Sequence, residues 1–187
     1  MNFLIFDKGN LSPNLVDTIL ADFRHVTLVS SEESLSTIPS SSPTFLLVNQ
    51  VNISNANEVI QILSKHERDP FDALLMFNAS SYSDFQNILQ TMRRLKRQPP
   101  HLFLIFIGQP DEIDKNINKL LRESSESIIW TVLICNQINA STTKNYKLET
   151  KPDPKNHQVP IASSALFDFI CNEINTKKQL QKIIYIY

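Results

Sequence analysis

Glycine is nearly absent from this chain. Average usage of about 7% would give about 13 glycines in a chain of this length, yet the 187 residues hold two, Gly9 and Gly108. Functions built on a glycine-rich loop are disfavoured from the outset, because glycine alone reaches strained backbone conformations without steric penalty. Cysteine is as scarce, and Cys135 and Cys171 cannot make a disulfide framework or a four-thiolate zinc site, which points to a reducing cytoplasm. No apolar run approaches the roughly 18 residues of a spanning helix. An excess of positive charge is also missing. Eighteen basic against nineteen acidic side chains give a formal net charge of -1, without the electrostatic footprint of a nucleic-acid binder. The opening MNFLIF carries no basic stretch or cleavage site of a secretory signal. The expectation is a soluble cytoplasmic domain spanning 1–187, with neither nucleic acid nor membrane as partner.

Against those absences stands a regular alternation. The apolar runs NFLIF (2–6), HVTLV (25–29), TFLLV (44–48), FDALLMF (71–77), LFLIFI (102–107) and SIIWTVLIC (127–135) are too short for helices, and they read as strands buried on both faces. Between them lie helical patterns. Ser12-Pro13 supplies an N-cap and an N1 proline ahead of Leu15, Val16, Ile19, Leu20 and Phe23 at helical spacing. Further helices are predicted over 56–65, over 82–97 ending in the cationic RRLKR before Pro99-Pro100, and over 111–123. From 136 to 160 the chain is polar, with extended pieces expected around YKLE and QVPI, then a helix from Ser164 to Ile174 and a last strand in KIIYIY. Strands alternating with helices specify an α/β, doubly wound, mainly parallel sheet with helices on both faces, a Rossmann-like domain. Ligands of such sheets bind beyond the carboxyl ends of the strands at the switch point, so the loops 7–13, 30–34, 49–55, 78–82, 107–112 and 134–141 are the places to search.

The order of these pieces resembles an atypical short-chain dehydrogenase/reductase of the NmrA-like, NAD(P)H-binding branch over nearly the full length. The opening 29 residues match that family's strand, phosphate loop, helix and second strand. NISNANEV resembles its stretch after strand three, IIWTVLICNQINASTTKNYKLE its W-T strand and following loop, and PIASSALFDFICNEI its closing helix. The resemblance implies NAD or NADP as cofactor, held by Gly9, Asn10, Leu11 and Ser12 in the phosphate loop and by Ser30 and Ser31 after strand two. Asn52 and Ile53 would lie near the adenine, and Asn78, Ala79 and Ser80 beside the ribose. It also implies Lys115 as the lysine of a Tyr-x-x-x-Lys pair, which lowers the phenol's pKa and orients the ribose.

Several positions depart from the family pattern. Its three loop glycines correspond to Asp7, Asn10 and Pro13, so the tight turn, the close approach to pyrophosphate and the helix–strand packing lose their usual residue. Asp7 puts a carboxylate where a diphosphate would sit, and like charges about 4 Å apart repel by roughly 1–4 kcal/mol. The helix N-terminus after Ser12 still offers N–H groups to an anion. Ser30 and Ser31 replace the residue that would choose between NAD and NADP. Asp111 stands where the tyrosine would be, and Ile134-Cys135 stands where the family has Arg-Pro. The four histidines read as loop and strand-edge residues with no i, i+4 pairing for a metal. Cys135 reads as a small buried hydrophobe and RRLKR as a solvated helix end. Three readings stay open: a dinucleotide-sensing or regulatory protein with weak or no turnover, an active NAD(P)H-dependent oxidoreductase, and a cofactor-free interaction module pairing as a homo-oligomer through its helices or its KIIYIY edge. Departure at both the phosphate loop and the acid/base pair favours the first and third.

Overall fold

The computed structural model describes residues 1–7, 25–30, 45–48, 55, 57–58, 61, 64, 71–77, 86–87, 90, 101–108, 118, 121–122, 128–139, 141–151 and 159–187. Ten strands are placed within them: β1 (Asn2–Asp7), β2 (His25–Ser30), β3 (Phe45–Val48), β4 (Ala73–Phe77), β5 (His101–Ile107), β6 (Trp130–Cys135), β7 (Ile138–Asn139), β8 (Leu148–Glu149), β9 (Ile161–Ala162) and β10 (Lys182–Ile186). One helix has both ends placed, α1 (Ser163–Thr176). Helical residues also fall at 57–58, 61 and 64, at 86–87 and 90, and at 118 and 121–122, inside the spans where the apolar spacing predicts helices. The helix expected after Ser12-Pro13 lies outside the described residues.

Eight strands form one sheet in the order β3-β2-β1-β4-β5-β6-β10-β8, and β7 pairs with β9 in a separate two-stranded piece. Every neighbouring pair in the large sheet is parallel except β10 with β8. This is the doubly wound, Rossmann-like architecture expected from the alternation of elements. The first three strands run outward from β1 in one direction and β4, β5 and β6 in the other, which puts the switch point between β1 and β4.

Alternate residues of each strand feed two cores. Phe3, Ile5, Leu28, Leu75, Phe103, Ile105, Leu133 and Ile184 pack on the face covered by α1, with Leu166, Phe167 and Ile170 against them. Leu4, Phe6, Val29, Leu74, Met76, Leu102, Leu104, Val132 and Ile134 pack on the other face, where Leu121 and Ile128 join them. Burial on both faces explains why the strands read as unbroken apolar runs instead of alternating ones. Each large side chain so buried contributes about 1.5–3 kcal/mol.

The KIIYIY strand is not the bare edge expected from the sequence. β10 lies between β6 and β8, with Tyr185 opposite Glu149 and Ile186 opposite Leu148. The main chain of Tyr187 then exchanges hydrogen bonds with Lys147, at 3.1 and 3.2 Å. His101 likewise departs from its reading as a loop or strand-edge residue. It opens a central strand and is buried, because Phe103 stacks on its ring at 4.1 Å and Thr131 gives it a polar partner.

Candidate functional site

All six long parallel strands end on one side, and their carboxyl ends define the upper rim. Asp7 closes β1 and pairs in register with Ser30 at the end of β2. Phe6 pairs with Met76 of β4, which sets Asp7 level with Phe77, the last residue of that strand. Asp7 is 1% exposed. The two strands flanking the switch point, β1 and β4, therefore end in Asp7 and Phe77.

Farther along the rim, Gly108 follows β5 with φ of +121°, a conformation that side-chain-bearing residues rarely adopt. Its N–H donates to the carbonyl of Cys135 at 2.9 Å, which ties the ends of β5 and β6 together. Space around Gly108 is open, so backbone geometry and not crowding selects the glycine. The Cys135 thiol donates to the Phe106 carbonyl at 3.7 Å, and burial pushes its pKa up to about 12. A thiol so disposed stays protonated and is a poor nucleophile. The reading of Cys135 as a buried hydrophobe agrees with this geometry.

The segment after β6 is anchored to the start of α1. Ile161 N–H donates to the Gln137 carbonyl at 2.8 Å, and Ser164 Oγ donates to the carbonyls of Ser141 and Thr143, both at 2.9 Å. The hydroxyls of Ser141 and Thr143 pair with each other at 3.0 Å, and Tyr146 meets the edge of Phe169. β7, a two-residue strand in a polar stretch, has no apolar pattern that marks it.

A second polar cluster sits at the opposite, lower end. Thr131 Oγ1 donates to the Gln179 carbonyl at 3.0 Å and lies 2.8 Å from His101 Nε2. With its proton committed, Thr131 accepts from the ring, so Nε2 carries hydrogen and the buried Nδ1 has no partner. Burial, with Lys177 nearby, lowers the His101 pKa to about 4. Glu173 Oε1 accepts from the Gln179 N–H at 2.6 Å. This cluster fastens the turn between α1 and β10, a structural task that no short motif announces.

Of the residues singled out for a site, Ser30 is placed, at the upper end of β2. Gly9, Asn10, Leu11, Ser12, Ser31, Asn52, Ile53, Asn78, Ala79, Ser80 and Lys115 lie outside the described residues, as does Asp111. Among the described residues no cluster of three or more metal-ligating side chains occurs, and no helix is long and apolar enough to cross a membrane.

No protein-family model matches the chain, and no curated protein matches it. Solved structures do. A Rossmann-fold NAD(P)-binding family protein from Shigella flexneri superposes with a TM-score of 0.69 at 14% identity, covering 100% of this chain and 93% of its own. A short-chain dehydrogenase/reductase from Veillonella parvula, solved in complex with NADP, gives 0.68 at 14% identity over 99% and 94%. An anaerobillin reductase from Escherichia coli O157:H7 gives 0.64 at 9% identity over 100% and 96%. At such identities the likeness establishes the shared fold, here that of NAD(P)-binding and reductase-like domains.

Proposed function

We propose that this chain is a weak binder of nicotinamide dinucleotide that senses or responds to it with little or no hydride transfer. The observation that carries this reading is the strand order, whose switch point between β1 and β4 is where doubly wound sheets take their ligands. Structures of the same fold, one of them holding NADP, support the same ligand class. The loop residues Gly9, Asn10, Leu11 and Ser12, with Ser30, Ser31, Asn52, Ile53, Asn78, Ala79 and Ser80, are the proposed cofactor contacts, and Lys115 the proposed ribose contact.

The described groups at this crevice fit a diphosphate poorly. The ends of β1, β2 and β4 offer the Asp7 carboxylate, Ser30 and Phe77, with no cation among them. A bound dinucleotide would supply hydride in a reductase. Proton transfer to match it needs an acid, yet the chain has Asp111 in the tyrosine's place, and the Cys135 thiol on the rim holds its proton up to about pH 12. Binding without turnover accommodates both facts.

Thermal melting with NADH and NADPH tests the proposal. A ligand at 100 times its Kd stabilises by about 2.7 kcal/mol, a readily measured shift. The expected result is a shift with at least one of the two at millimolar concentration, and no oxidation of the reduced cofactor across a carbonyl and quinone panel. Flat melting curves with both would favour the cofactor-free interaction module, and turnover would establish the oxidoreductase.

A further inference from the structure

We propose that residues 141–146 form a strap on the ligand side of the sheet, closed over the first turn of α1 by the Ser164 hydroxyl and able to open while the rest of the fold stays intact. The proposal goes beyond the nucleotide reading and stands or falls without it.

The place of the strap follows from the two ends of α1. Gln179, just past the helix, is held by Thr131 near the start of β6, so the last turn lies at the lower end. The first turn follows β9, which pairs with β7 beyond the carboxyl end of β6. It therefore lies at the upper end, where ligands of doubly wound sheets approach. Phe167, one turn into the helix, packs on Phe3 of β1, so the helix that carries the strap also supports a strand flanking the switch point.

The strap is fastened to α1 in two ways. Ser164 Oγ lies 2.9 Å from the carbonyls of both Ser141 and Thr143. A hydroxyl has one proton to donate, so the two carbonyls share it. Farther along, the half-buried Tyr146 ring meets Phe169 edge-on at 5.7 Å. The remaining polar contacts are the strap's own. Ser141 N–H donates to Asn139 Oδ1 at 3.2 Å, the Ser141 and Thr143 hydroxyls pair at 3.0 Å, and Thr143 N–H donates to Ser141 Oγ at 3.3 Å. These bonds shape the segment without joining it to α1. Residues 142–145 are exposed, so closure buries little apolar surface there. Paired chain bounds the strap on both sides, β7 before it and the main-chain bonds of Lys147 with Tyr187 after it. Segments with few buried apolar contacts and exposed hydrogen bonds open locally at low cost.

Limited trypsin digestion of the folded protein tests this, comparing in one sample two exposed lysines, Lys144 in the strap and Lys178 in the lower turn. Where opening is fast relative to cleavage, the cleavage rate reports the open population. Ser164→Ala should raise cleavage after Lys144 about fivefold, as expected for one hydrogen bond lost, and leave cleavage after Lys178 and the melting temperature unchanged. Ser164→Thr keeps the hydroxyl and should be cut as the unmodified protein is. Tyr146→Ala should also speed cleavage after Lys144 and not after Lys178. The proposal is overturned if folded Ser164→Ala is cut after Lys144 no faster than the unmodified protein, if cleavage after Lys178 rises in step, or if Ser164→Thr is cut as fast as Ser164→Ala. Each of those results leaves the nucleotide reading untouched.

Discussion

The two ends of the central sheet follow different rules. At the lower end, side chains reach across to the turn before β10, although the buried His101 Nδ1 has no partner. His101 bonds Thr131, Thr131 bonds the Gln179 carbonyl, and the Glu173 carboxylate takes the Gln179 N–H. At the upper end a described tie runs through the main chain, where the Gly108 N–H donates to the Cys135 carbonyl and joins the ends of β5 and β6. The contrast teaches that the lower rim is closed by side chains reaching a turn, whereas ligands of doubly wound sheets approach the upper one.

Removing a core ring that supports the lower half should produce the largest effect. Phe167 of α1 packs on Phe3 with ring centroids 5.1 Å apart, and both are essentially fully buried. Phe167→Ala should destabilise by about 3–5 kcal/mol, read from urea unfolding. A loss under about 1 kcal/mol would mean that α1 does not hold the sheet as described.

Acid should expose the lower cluster next. His101 has its pKa lowered from 6.5 to about 4 in the folded chain. Between those values the unfolded chain binds the proton and the folded chain does not, so stability falls as pH drops from 6.5 toward 4 and this contribution then levels off. The integrated loss is about 3 kcal/mol. His101→Gln should remove that part of the pH dependence, and an unchanged acid limb in the variant would place its origin elsewhere.

An upper-rim substitution should do least to the fold. Gly108→Ala meets no atom within 4 Å of its new Cβ but must hold φ at +121°, so backbone strain of about 1–3 kcal/mol is the whole expected effect. Ligand affinity should change little, since β5 does not flank the switch point. A loss as large as that for Phe167→Ala would erase the distinction between the two ends.

The sequence made the sheet legible because burial on both faces leaves a crude signal. NFLIF, ALLMF and WTVLIC are runs that only a covered parallel strand requires. The short strands were legible only in part. YKLE contains β8 and QVPI ends on the first residue of β9, whereas Ile138–Asn139 has no pattern of its own and becomes β7 through pairing with Ile161 and Ala162. The lower cluster could not be read at all. His101 and Thr131 are thirty residues apart, and what joins them is adjacency of strands in the sheet, a long-range property. α1 ends on Lys177 at φ +52° instead of a glycine, so the usual stop signal was missing as well. The candidate site was legible as a set of strand ends, since topology alone dictates where ligands approach. Its residue-level contacts depend on loop backbone, for which a chain with two glycines gives few landmarks.

Hydrogen exchange with and without NADPH tests most directly whether this fold still binds dinucleotide at its switch point. Slowed exchange is expected in peptides spanning the ends of β1, β2 and β4 and the loops that follow them, with the lower rim around His101 and Gln179 unchanged. Unaltered exchange at those strand ends under saturating NADPH, or protection confined to the lower rim, would contradict a crevice over β1 and β4.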